Sequence, residues 1–459
     1  MTPPHDEERP IAALLVPDIL ELIETAPESV AAETEEMHPA DLADVAASMP
    51  RERVPALLAS LPPERAADVL EYMNEELRAE VLEALSPAKA ALLLAQMTPD
   101  DRADVLEELE EEHAEDILAA IPAEARGETE RLLQYEPDTA GGLMTTEFVS
   151  VPEDMPVEEA LANVRAIARL GRREAIYTVY ATDAQGRMRG VMSLRELLAA
   201  PEGSRIRDIA WEDIVSVPAT ADREEVARVT SKYDLVAVPV VDDDGRLIGV
   251  VTVDDVIDAI VEESTEDVQR LGAMQPLQDP YFAVGFFSIA RKRLGWLALL
   301  FFAVMFTGTI MQHHEETLLA ATGLMLFVPL IISSGGNSGS QSATLITRAL
   351  AVGDVSLGDA LRVMWRESGQ GVVLGIILGA MGYVRAITWG NSSDVAMVVA
   401  LTLAAVVLTG TLVGAMLPLL FTRIRVDPAI ASSPFVASLV DVAGIAIYFA
   451  VASRLLALP

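Results

Sequence analysis

An acidic residue lies in the middle of the last apolar segment of the sequence. Asp441 is the fourteenth of the 26 residues 428–453, and this segment contains no other charged residue. A carboxylate at the centre of a bilayer costs roughly 2.5–3.5 kcal/mol on insertion scales. It therefore persists where it lines a water-filled path or bonds to a neighbouring helix. No basic residue lies in the middle of another apolar segment, so a mobile cation is the expected counter-charge.

A polar run follows the second apolar segment. Residues 333–342 read Ser-Ser-Gly-Gly-Asn-Ser-Gly-Ser-Gln-Ser, and this composition predicts that the helix ends at Ser333. Irregular backbone at membrane depth is tolerated only where it is buried in protein or lines water. The run is therefore a candidate lining of an aqueous path, and an ordinary polar loop is the alternative.

Carboxylates are also concentrated shortly before the first apolar segment, on a single predicted helix. Like charges four residues apart destabilise a helix unless counter-ions bind. Such a run is usually a solvated face, but its position before the membrane favours a lever that responds to cations. The residues are Asp254, Asp255, Asp258, Glu262, Glu263, Glu266 and Asp267.

The composition joins a very acidic part to an apolar part with almost no net charge. The 459 residues are 51% hydrophobic, with a formal net charge of −37 and no cysteine. Residues 281–459 contain ten basic and eight acidic residues, which leaves 23 of the 33 basic and 62 of the 70 acidic residues in 1–280. Nucleic-acid binding needs a basic footprint, and disulfides, thiolate zinc sites and thiol catalysis need cysteine. These classes, and a wholly soluble protein, are excluded.

Five apolar segments are long enough to cross a bilayer, for which a helix needs about 20 residues. Basic residues before the first segment and between the second and third and the fourth and fifth outnumber Arg385 and Arg454 on the other side. Excess Lys and Arg marks the cytoplasm, so residues 1–293 are expected inside and the C-terminus outside. The acidic N-terminus argues against a signal peptide, which predicts a multi-pass protein of the inner (plasma) membrane. The segments are 294–312, 317–333, 368–384, 395–422 and 428–453.

A twelve-residue repeat occupies residues 38–122. Apolar residues recur at 49, 61, 73, 85, 97, 109 and 121, and again four residues earlier in each repeat. Proline or a polar capping residue follows most of these positions, which predicts one short helix per repeat. A single short helix cannot bury its apolar face, so the helices are expected to stack into a superhelical array. Asp68 and Asp104 share one phase of the repeat, as a solvated face or as cation ligands.

A strand–turn–strand pattern occurs twice in residues 143–265, about sixty residues apart. Apolar runs at 175–181 and 235–241 each precede a polar turn and a second run, at 190–194 and 249–253. Residues 249–255 resemble the Gly-hydrophobic-hydrophobic-Thr-x-x-Asp signature of CBS domains.

The CBS resemblance implies a nucleotide site in the second copy. Thr252 and Asp255 match the positions that hold an adenosine ribose in that family, so ATP or another adenine nucleotide is the implied ligand. Ser193 and Glu196 occupy the matching positions of the first copy. A purely structural pair is the alternative.

The order of these segments resembles the MgtE family of magnesium channels over essentially the whole chain. The most specific matches are residues 335–344 and the pair 427–429 and 439–444, with further agreement at 141–144 and 265–267. The resemblance implies a homodimer whose pore forms between two membrane domains.

The resemblance assigns the pore to the polar run and to the last apolar segment. Asp441 matches the aspartate of the cation-selective site, and Ser433 stands where the family often has Asn, although its hydroxyl can also donate and accept. The implied pore residues are Asp441, Ala437, Gly444, Gly335, Gly336, Asn337 and Ser433.

The resemblance also implies regulatory Mg²⁺ ions bound between the cytoplasmic domains. These ions hold the pore closed, and self-repulsion among the acidic residues opens it when intracellular magnesium falls. The matching positions are Asp68, Asp100, Asp104, Asp222, Glu224, Asp234, Asp255, Asp258, Glu263, Glu266, Asp267 and Asp427.

The sequence thus predicts a multidomain membrane protein that takes up Mg²⁺ down its electrochemical gradient through a magnesium-selective, magnesium-gated channel. The expected partners are Mg²⁺, the lipid bilayer and a second copy, without nucleic acid. An enzyme is not expected, since Walker and His-Glu-x-x-His motifs are missing from the sequence. A proton- or sodium-coupled divalent cation transporter or exporter and a nucleotide-sensing membrane adaptor are the alternatives. The expected parts are an all-α superhelical domain (1–136), an α+β tandem CBS pair (137–200 and 201–264), a connecting helix (265–290) and a five-helix transmembrane domain (291–459).

Overall fold

The computed structural model describes residues 10–169, 177–277, 281, 284–314 and 322–456. Two compact units, Met1–Val261 and Glu262–Pro459, account for the chain. The first contains an array of short helices and two small sheets, and the second contains long apolar helices.

Short helices fill the beginning of the first unit. From Pro39 onwards a helical segment begins every twelve residues, at 39, 51, 63, 75, 87, 99, 111 and 123, and the one at 51 opens with a 3₁₀ turn. The predicted repeat is therefore confirmed. The helices are α1 Pro10–Thr25, α2 Pro27–Glu33, α3 Pro39–Ser48, α4 Val54–Ala59, α5 Pro63–Glu71, α6 Glu75–Ala84, α7 Pro87–Leu94, α8 Pro99–Glu107, α9 Glu111–Ala120 and α10 Ala123–Leu132.

Local capping explains why each helix begins where it does. Proline occupies the first turn of most of them, where its missing N–H costs nothing. The side chains of Asn74 and Thr98 accept hydrogen bonds from the backbone N–H groups of Leu77 and Asp101, as N-cap residues do. These short helices are stable because they stack on one another.

Most helices of the array pack mainly against the helix two further along the chain. Helices α3, α5, α7 and α9 follow one another in one row, and α4, α6, α8 and α10 in a second. Their apolar residues share one core, in which Leu57, Leu70 and Leu82 are fully buried. The stacking predicted from the repeat is confirmed.

Two three-stranded sheets follow, with the same topology. In each, the first strand pairs parallel with the second and the second pairs antiparallel with the third. The equivalent pairs Val179–Met192 and Val238–Val251 lie in register, which confirms the duplication; Ala175 and Ile176 lie outside the described residues. The strands are β1 Val149–Pro152, β2 Thr178–Thr182, β3 Met188–Ser193, β4 Val217–Pro218, β5 Ala237–Val241 and β6 Leu247–Thr252.

Helices cover the two sheets and join the second sheet to the helical array. Ala103 and Leu132 of the array share a hydrophobic cluster with Val238 and Val251. This cluster brings the acidic helix α8 close to the second sheet within the first unit. The helices are α11 Val157–Arg169, α12 Leu194–Ala199, α13 Ile206–Ile209, α14 Arg223–Tyr233 and α15 Val253–Leu271.

The segment expected to be a connecting helix is divided. Helix α15 begins directly after β6 and ends at Leu271, and the next helix begins at Phe286. The expectation of one helix over 265–290 is therefore wrong in its bounds. The Gly272–Ala273 pair ends α15, with Ala273 at a φ of 55°.

The second unit contains five long helices among its described residues. Four of them, those around 286–313, 357–388, 393–423 and 433–455, are long and apolar enough to cross a membrane by length and composition. The corresponding predicted segments are confirmed, with somewhat different ends. The helices are α16 Phe286–His313, α17 Val328–Ala351, α18 Ala360–Thr388, α19 Ser393–Arg423 and α20 Ser433–Leu455.

The second predicted apolar segment, 317–333, differs from the helix in the structure. Residues 317–321 lie outside the described residues, a 3₁₀ segment covers Thr322–Phe327, and α17 runs without a break through the polar run. The prediction that a helix ends at Ser333 is wrong. Within a membrane, intrahelical hydrogen bonds are the most available partners for the backbone, so the glycines do not break this helix.

Close helix packing explains the glycines. A Cβ atom on Gly414 would collide with the carbonyl oxygen of Gly339, and one on Gly410 would lie 2.5 Å from that of Gly335. Small residues four apart allow helix backbones to approach closely in membranes. The glycines of α17 and α19 thus bring these two helices together.

Candidate ion pathway and carboxylate sites

The membrane carboxylate lies against the glycine-rich helix. Asp441 of α20 is partly buried, and a Cβ atom built on Gly336 would lie 3.3 Å from its Oδ1 and 3.2 Å from the Cβ of Ala437. Ala437 lies one turn before Asp441. Three residues of the predicted pore set are thereby brought together.

A row of polar side chains follows one face of α17. Ser333, Asn337, Gln341, Thr344 and Arg348 are exposed and three or four residues apart, so they lie on one face of the helix. An exposed polar face at membrane depth requires water or protein beside it. This face can line an aqueous path. The sequence analysis did not recognise it, because it predicted that the helix ends at Ser333.

Hydrogen bonds hold this region in place. The Oγ of Ser340 donates to the backbone carbonyl of Ser433 at 3.0 Å, which joins α17 to the first turn of α20. The Nδ2 of Asn337 donates to the Oγ of Ser333 at 3.3 Å. Ser433 thus contacts α17 through its main chain.

Two residues of the predicted pore set pack elsewhere. A Cβ atom on Gly335 would collide with Val406, and one on Gly444 would lie 3.2 Å from Cγ1 of the same valine. Both glycines are buried against α19. The geometry gives them a packing role.

A carboxylate cluster lies between the helical array and the second CBS-like copy, within the first unit. We name it the array cluster; it contains predicted metal ligands, Asp254 of the predicted acidic run, and two residues that sequence reasoning missed, Glu71 and Asp101. Mutual electrostatic repulsion links these groups. The cluster comprises Asp68, Glu71, Asp100, Asp101, Asp104, Asp254 and Asp255.

Burial and repulsion raise the pKa values of several carboxyl groups in the array cluster, among them Asp255, Glu71 and Asp100. Desolvation and then Asp100 raise the pKa of Asp255 to about 9, against the lowering effect of the hydroxyl of Thr252, which donates to it at 2.6 Å. Desolvation and then Asp101 raise the pKa of Glu71 to about 8. The side chain of Asp100 is 5% exposed, and burial raises its pKa to about 6. The carboxylates of the cluster therefore have too few positively charged neighbours to balance their negative charge.

Three other predicted metal ligands cap a helix. Asp222 is the N-cap of α14 and accepts from the backbone N–H of Glu224 at 2.9 Å. Asp234 ends the same helix at a φ of 52°. All three carboxylates are exposed, as is that of Asp258 on α15.

A second group of carboxylates lies in the other unit, where α15 ends. Burial, Asp427 and Glu263 raise the pKa of Asp267, and Arg270 and Arg348 lower it. Arg270 forms ion pairs with Glu266 and with Asp427. Asp427 also caps the turn before α20, accepting from the backbone N–H of Ala429 at 2.7 Å. We name Glu263, Glu266, Asp267 and Asp427 the helix-end cluster.

The nucleotide prediction corresponds to a cavity between the two sheets. Its volume is about 240 Å³, and its lining includes Phe148, Tyr177, Tyr180, Thr252 and Asp254. The hydroxyl of Tyr180 is buried without a hydrogen-bond partner among the described residues.

The matching residues of the first copy bond to each other and to a tryptophan. Ser193 and Glu196 form a reciprocal capping box at the start of α12. Glu196 also accepts from the indole N–H of Trp211 at 2.8 Å. The side chains of Ser193, Glu196 and Trp211 thus form hydrogen bonds with one another.

Comparison with known proteins gives a consistent result for three separate parts of the chain. A family model described as the divalent cation transporter MgtE matches residues 328–451, the MgtE intracellular N domain matches 37–138, and CBS domains match 140–203 and 206–262. A magnesium transporter MgtE from Thermus thermophilus is 44% identical over 331 residues, which cover 72% of this chain and 73% of that protein. The chain belongs to the MgtE family.

Two further MgtE proteins agree. A magnesium transporter MgtE from Bacillus subtilis is 31% identical over 322 residues, 70% of each chain. The crystal structure of the cytosolic domain of the Mg²⁺ channel MgtE in complex with ATP has a TM-score of 0.51 and 38% identity, covering 54% of this chain and 99% of that one. The predicted MgtE resemblance and the multidomain membrane fold are confirmed.

The donor atoms of the array cluster in this MgtE chain fit a hard divalent cation. Mg²⁺ prefers oxygen ligands and retains several waters, and the cluster supplies carboxylates short of positive charge. The Oδ1 of Asp100 is buried without a hydrogen-bond partner among the described residues. Among those residues, however, three acidic or histidine side chains nowhere converge closely enough to hold a metal directly. The fit is thus to a hydrated ion.

Proposed function

We propose that the chain is one subunit of a homodimeric channel that conducts Mg²⁺ into the cell down its electrochemical gradient. The observation that carries the proposal is the carboxylate of Asp441 beside Gly336, next to the exposed polar face of α17. An ionisable group inside a membrane domain marks an ion path by default. The inside-negative potential contributes about 2.3 kcal/mol per charge per 100 mV, which drives a divalent ion inward without ATP.

Two Asp441 side chains, one from each subunit, form the selective site. Two like charges facing each other in a low-dielectric region repel strongly, and one divalent ion between them relieves both. Because Mg²⁺ dehydrates reluctantly, it passes as a hydrated ion, with Ala437, Asn337 and Ser433 contacting its water.

Regulatory Mg²⁺ closes the channel by binding to the cytoplasmic carboxylates. The array cluster and the helix-end cluster supply the ligands, and Asp222, Glu224, Asp234 and Asp258 contribute further oxygen atoms. Moving a two-state gate from 1:99 to 99:1 requires about 5.5 kcal/mol. Several ions, each coupled by about 1–3 kcal/mol, supply this amount.

An adenine nucleotide binds in the cavity between the two CBS domains. The aromatic rings of Phe148 and Tyr177 line it on the side of the first domain, and the hydroxyl of Thr252 lines it on the other. Asp255 lies behind Thr252, as the acceptor of its hydrogen bond.

The proposed topology places residues 1–293 in the cytoplasm and the C-terminus outside, with domain boundaries near 136, 200 and 264. Arg291, Lys292 and Arg293 lie at the start of α16, and Arg423 at the end of α19. Both positions fall on the side where positive charges accumulate.

The test is Mg²⁺ uptake by a bacterium that requires added magnesium for growth. Asp441→Asn and Asp441→Ala are expected to abolish rescue of growth and uptake. Asp394, an exposed acidic residue in the first turn of α19, provides the matched control, and Asp394→Asn is expected to behave as the wild type.

Uptake that persists in both Asp441 variants would contradict the proposal. Single-channel recording separates the channel from a proton- or sodium-coupled transporter, because only a channel passes resolvable unitary currents. Membrane abundance of each variant, measured by immunoblot, ensures that flux is compared at equal amounts.

A further inference from the structure

The positively charged side chain of Arg270 bridges two carboxylates of the helix-end cluster. The guanidinium group of Arg270 contacts a carboxylate oxygen of Glu266 on its own helix and one of Asp427 before α20. The exposed fractions of the three side chains are 35%, 21% and 29%. These ion pairs are thus partly shielded from solvent and persist better at physiological salt than surface pairs.

Carboxylates outnumber guanidinium groups around Arg270. Four carboxylates face two guanidinium groups, those of Arg270 and Arg348, which leaves a net charge of −2. Burial lowers the pKa of Arg270, but the carboxylates of Asp427 and Glu266 raise it overall, so that guanidinium remains charged at every physiological pH. Replacing Arg270 by a neutral residue would make the net charge −3.

We propose that Arg270 is an internal competitor for the regulatory cation at the helix-end cluster. The inference depends on the proposed function, in which Glu266 and Asp427 bind regulatory Mg²⁺. The guanidinium bridges these two carboxylates when the ion concentration is low, and a divalent cation must displace it to reach them. Binding at this cluster is therefore an exchange of one cation for another.

The competition sets the magnesium concentration at which the channel closes. Arginine presents a planar fork that can bridge two carboxylates, and it is more weakly hydrated than an ammonium group. Partly exposed ion pairs are individually weak, because water and salt screen them. Two such pairs raise the concentration for half-closure by about three- to tenfold.

The experiment compares Arg270→Gln and Arg270→Lys with the wild type in the full-length protein. Inside-out patches give the Mg²⁺ concentration for half-closure. Equilibrium binding of Mn²⁺ to protein in lipid nanodiscs, followed by the electron paramagnetic resonance signal of the free ion, gives a second readout without conduction. Arg362→Gln is the control, because Arg362 is 85% exposed and pairs with its helix neighbour Asp359.

Arg270→Gln is expected to lower the half-closing concentration about three- to tenfold and to tighten the Mn²⁺ binding of one site. Arg270→Lys keeps the positive charge but loses the planar guanidinium group that bridges the two carboxylates. A smaller decrease in the half-closing concentration is therefore expected. In an Asp427→Asn background, Arg270→Gln is expected to have a much smaller effect, because one of the two contested carboxylates is gone.

An unchanged or higher half-closing concentration, with unchanged Mn²⁺ binding, in Arg270→Gln would overturn the inference. Its failure is distinct from that of the proposed function. If the wild type neither conducts nor closes with Mg²⁺, the proposed function fails, and the Mn²⁺ titration still decides whether Arg270 competes. Arg270→Lys serves the same purpose if Arg270→Gln does not fold.

Discussion

The strongest residue-scale effect outside the membrane concerns Asp255. Burial and the neighbouring Asp100 raise its pKa from 3.8 to about 9, so the folded protein favours the protonated form. A group with a raised folded-state pKa stabilises the fold below its unfolded pKa, and this contribution is lost as pH rises through the folded value. The array cluster is therefore stable below about pH 4 and increasingly strained up to about pH 9. A divalent cation bound at the array cluster, as proposed, would relieve that strain.

Asp255→Asn is expected to flatten the pH dependence of stability. The amide oxygen can still accept from Thr252, while the charge is removed, so the thermal midpoint at pH 8 in chelator should rise by about 2–4 °C. Scanning fluorimetry of the full-length protein from pH 5 to pH 8.5 measures this. Asp243→Asn is the control, because that carboxylate is exposed in a turn; an unchanged slope in Asp255→Asn would contradict the argument.

At the scale of elements, the membrane helices depend on backbone contact between α17 and α19. Gly410 and Gly414 meet the carbonyl oxygens of Gly335 and Gly339. Dispersion and close packing, not hydrophobic transfer, hold helices together in lipid. The position of α17, whose Gly336 lies against Asp441, therefore depends on the backbone contacts that its other glycines make with α19.

Gly414→Ala is expected to destabilise the membrane domain by about 1–3 kcal/mol, the usual cost of overpacking. Its new methyl group would collide with the main chain of Gly339, which cannot move aside as a flexible side chain can. Thermal unfolding in detergent, followed by tryptophan fluorescence, measures the loss. Gly369→Ala on α18 is the control, because a Cβ there meets no atom within 4 Å; equal midpoints for the two variants would refute this account.

The sequence predicted elements well where the pattern repeats. Twelve-residue spacing fixed every helix from Pro39 to Ala123, because each repeat carries its own cap and apolar pair. It failed at 333–342, because glycine and serine are read as helix breakers in water. The glycines of α19 that pack against this run, Gly410 and Gly414, lie more than seventy residues away from Gly335 and Gly339 in the chain.

At the scale of the whole molecule, acidic residues far outnumber basic residues in the first 280 residues of the chain. The array cluster was only partly predictable, since Asp255 belongs to the CBS signature and Asp100 was implied by the family resemblance, whereas Glu71 joins them only through folding. Arg270 was missed for the same reason: its partner Asp427 is 157 residues away. Sequence spacing shows neighbours on one helix, but not which helices meet.

Mg²⁺ is expected to stabilise the full-length protein beyond its effect on ionic strength. At about one hundred times its dissociation constant, a ligand adds about 2.7 kcal/mol, which corresponds to roughly 5–10 °C for domains of this size. The thermal midpoint in MgCl₂ is compared with that in NaCl of equal ionic strength. Equal midpoints in the two salts would show that general screening, not bound ions, relieves the repulsion.

The two-row packing of the helical array constrains how its length can change. Removing one twelve-residue cassette would move every later helix into the opposite row and turn its buried side chains towards the wrong neighbours. Removing a pair, 24 residues, would leave each remaining helix in its own row. The array can thus be shortened or extended only in even numbers of helices. Only a change by such pairs before α8 would keep this helix beside the second sheet.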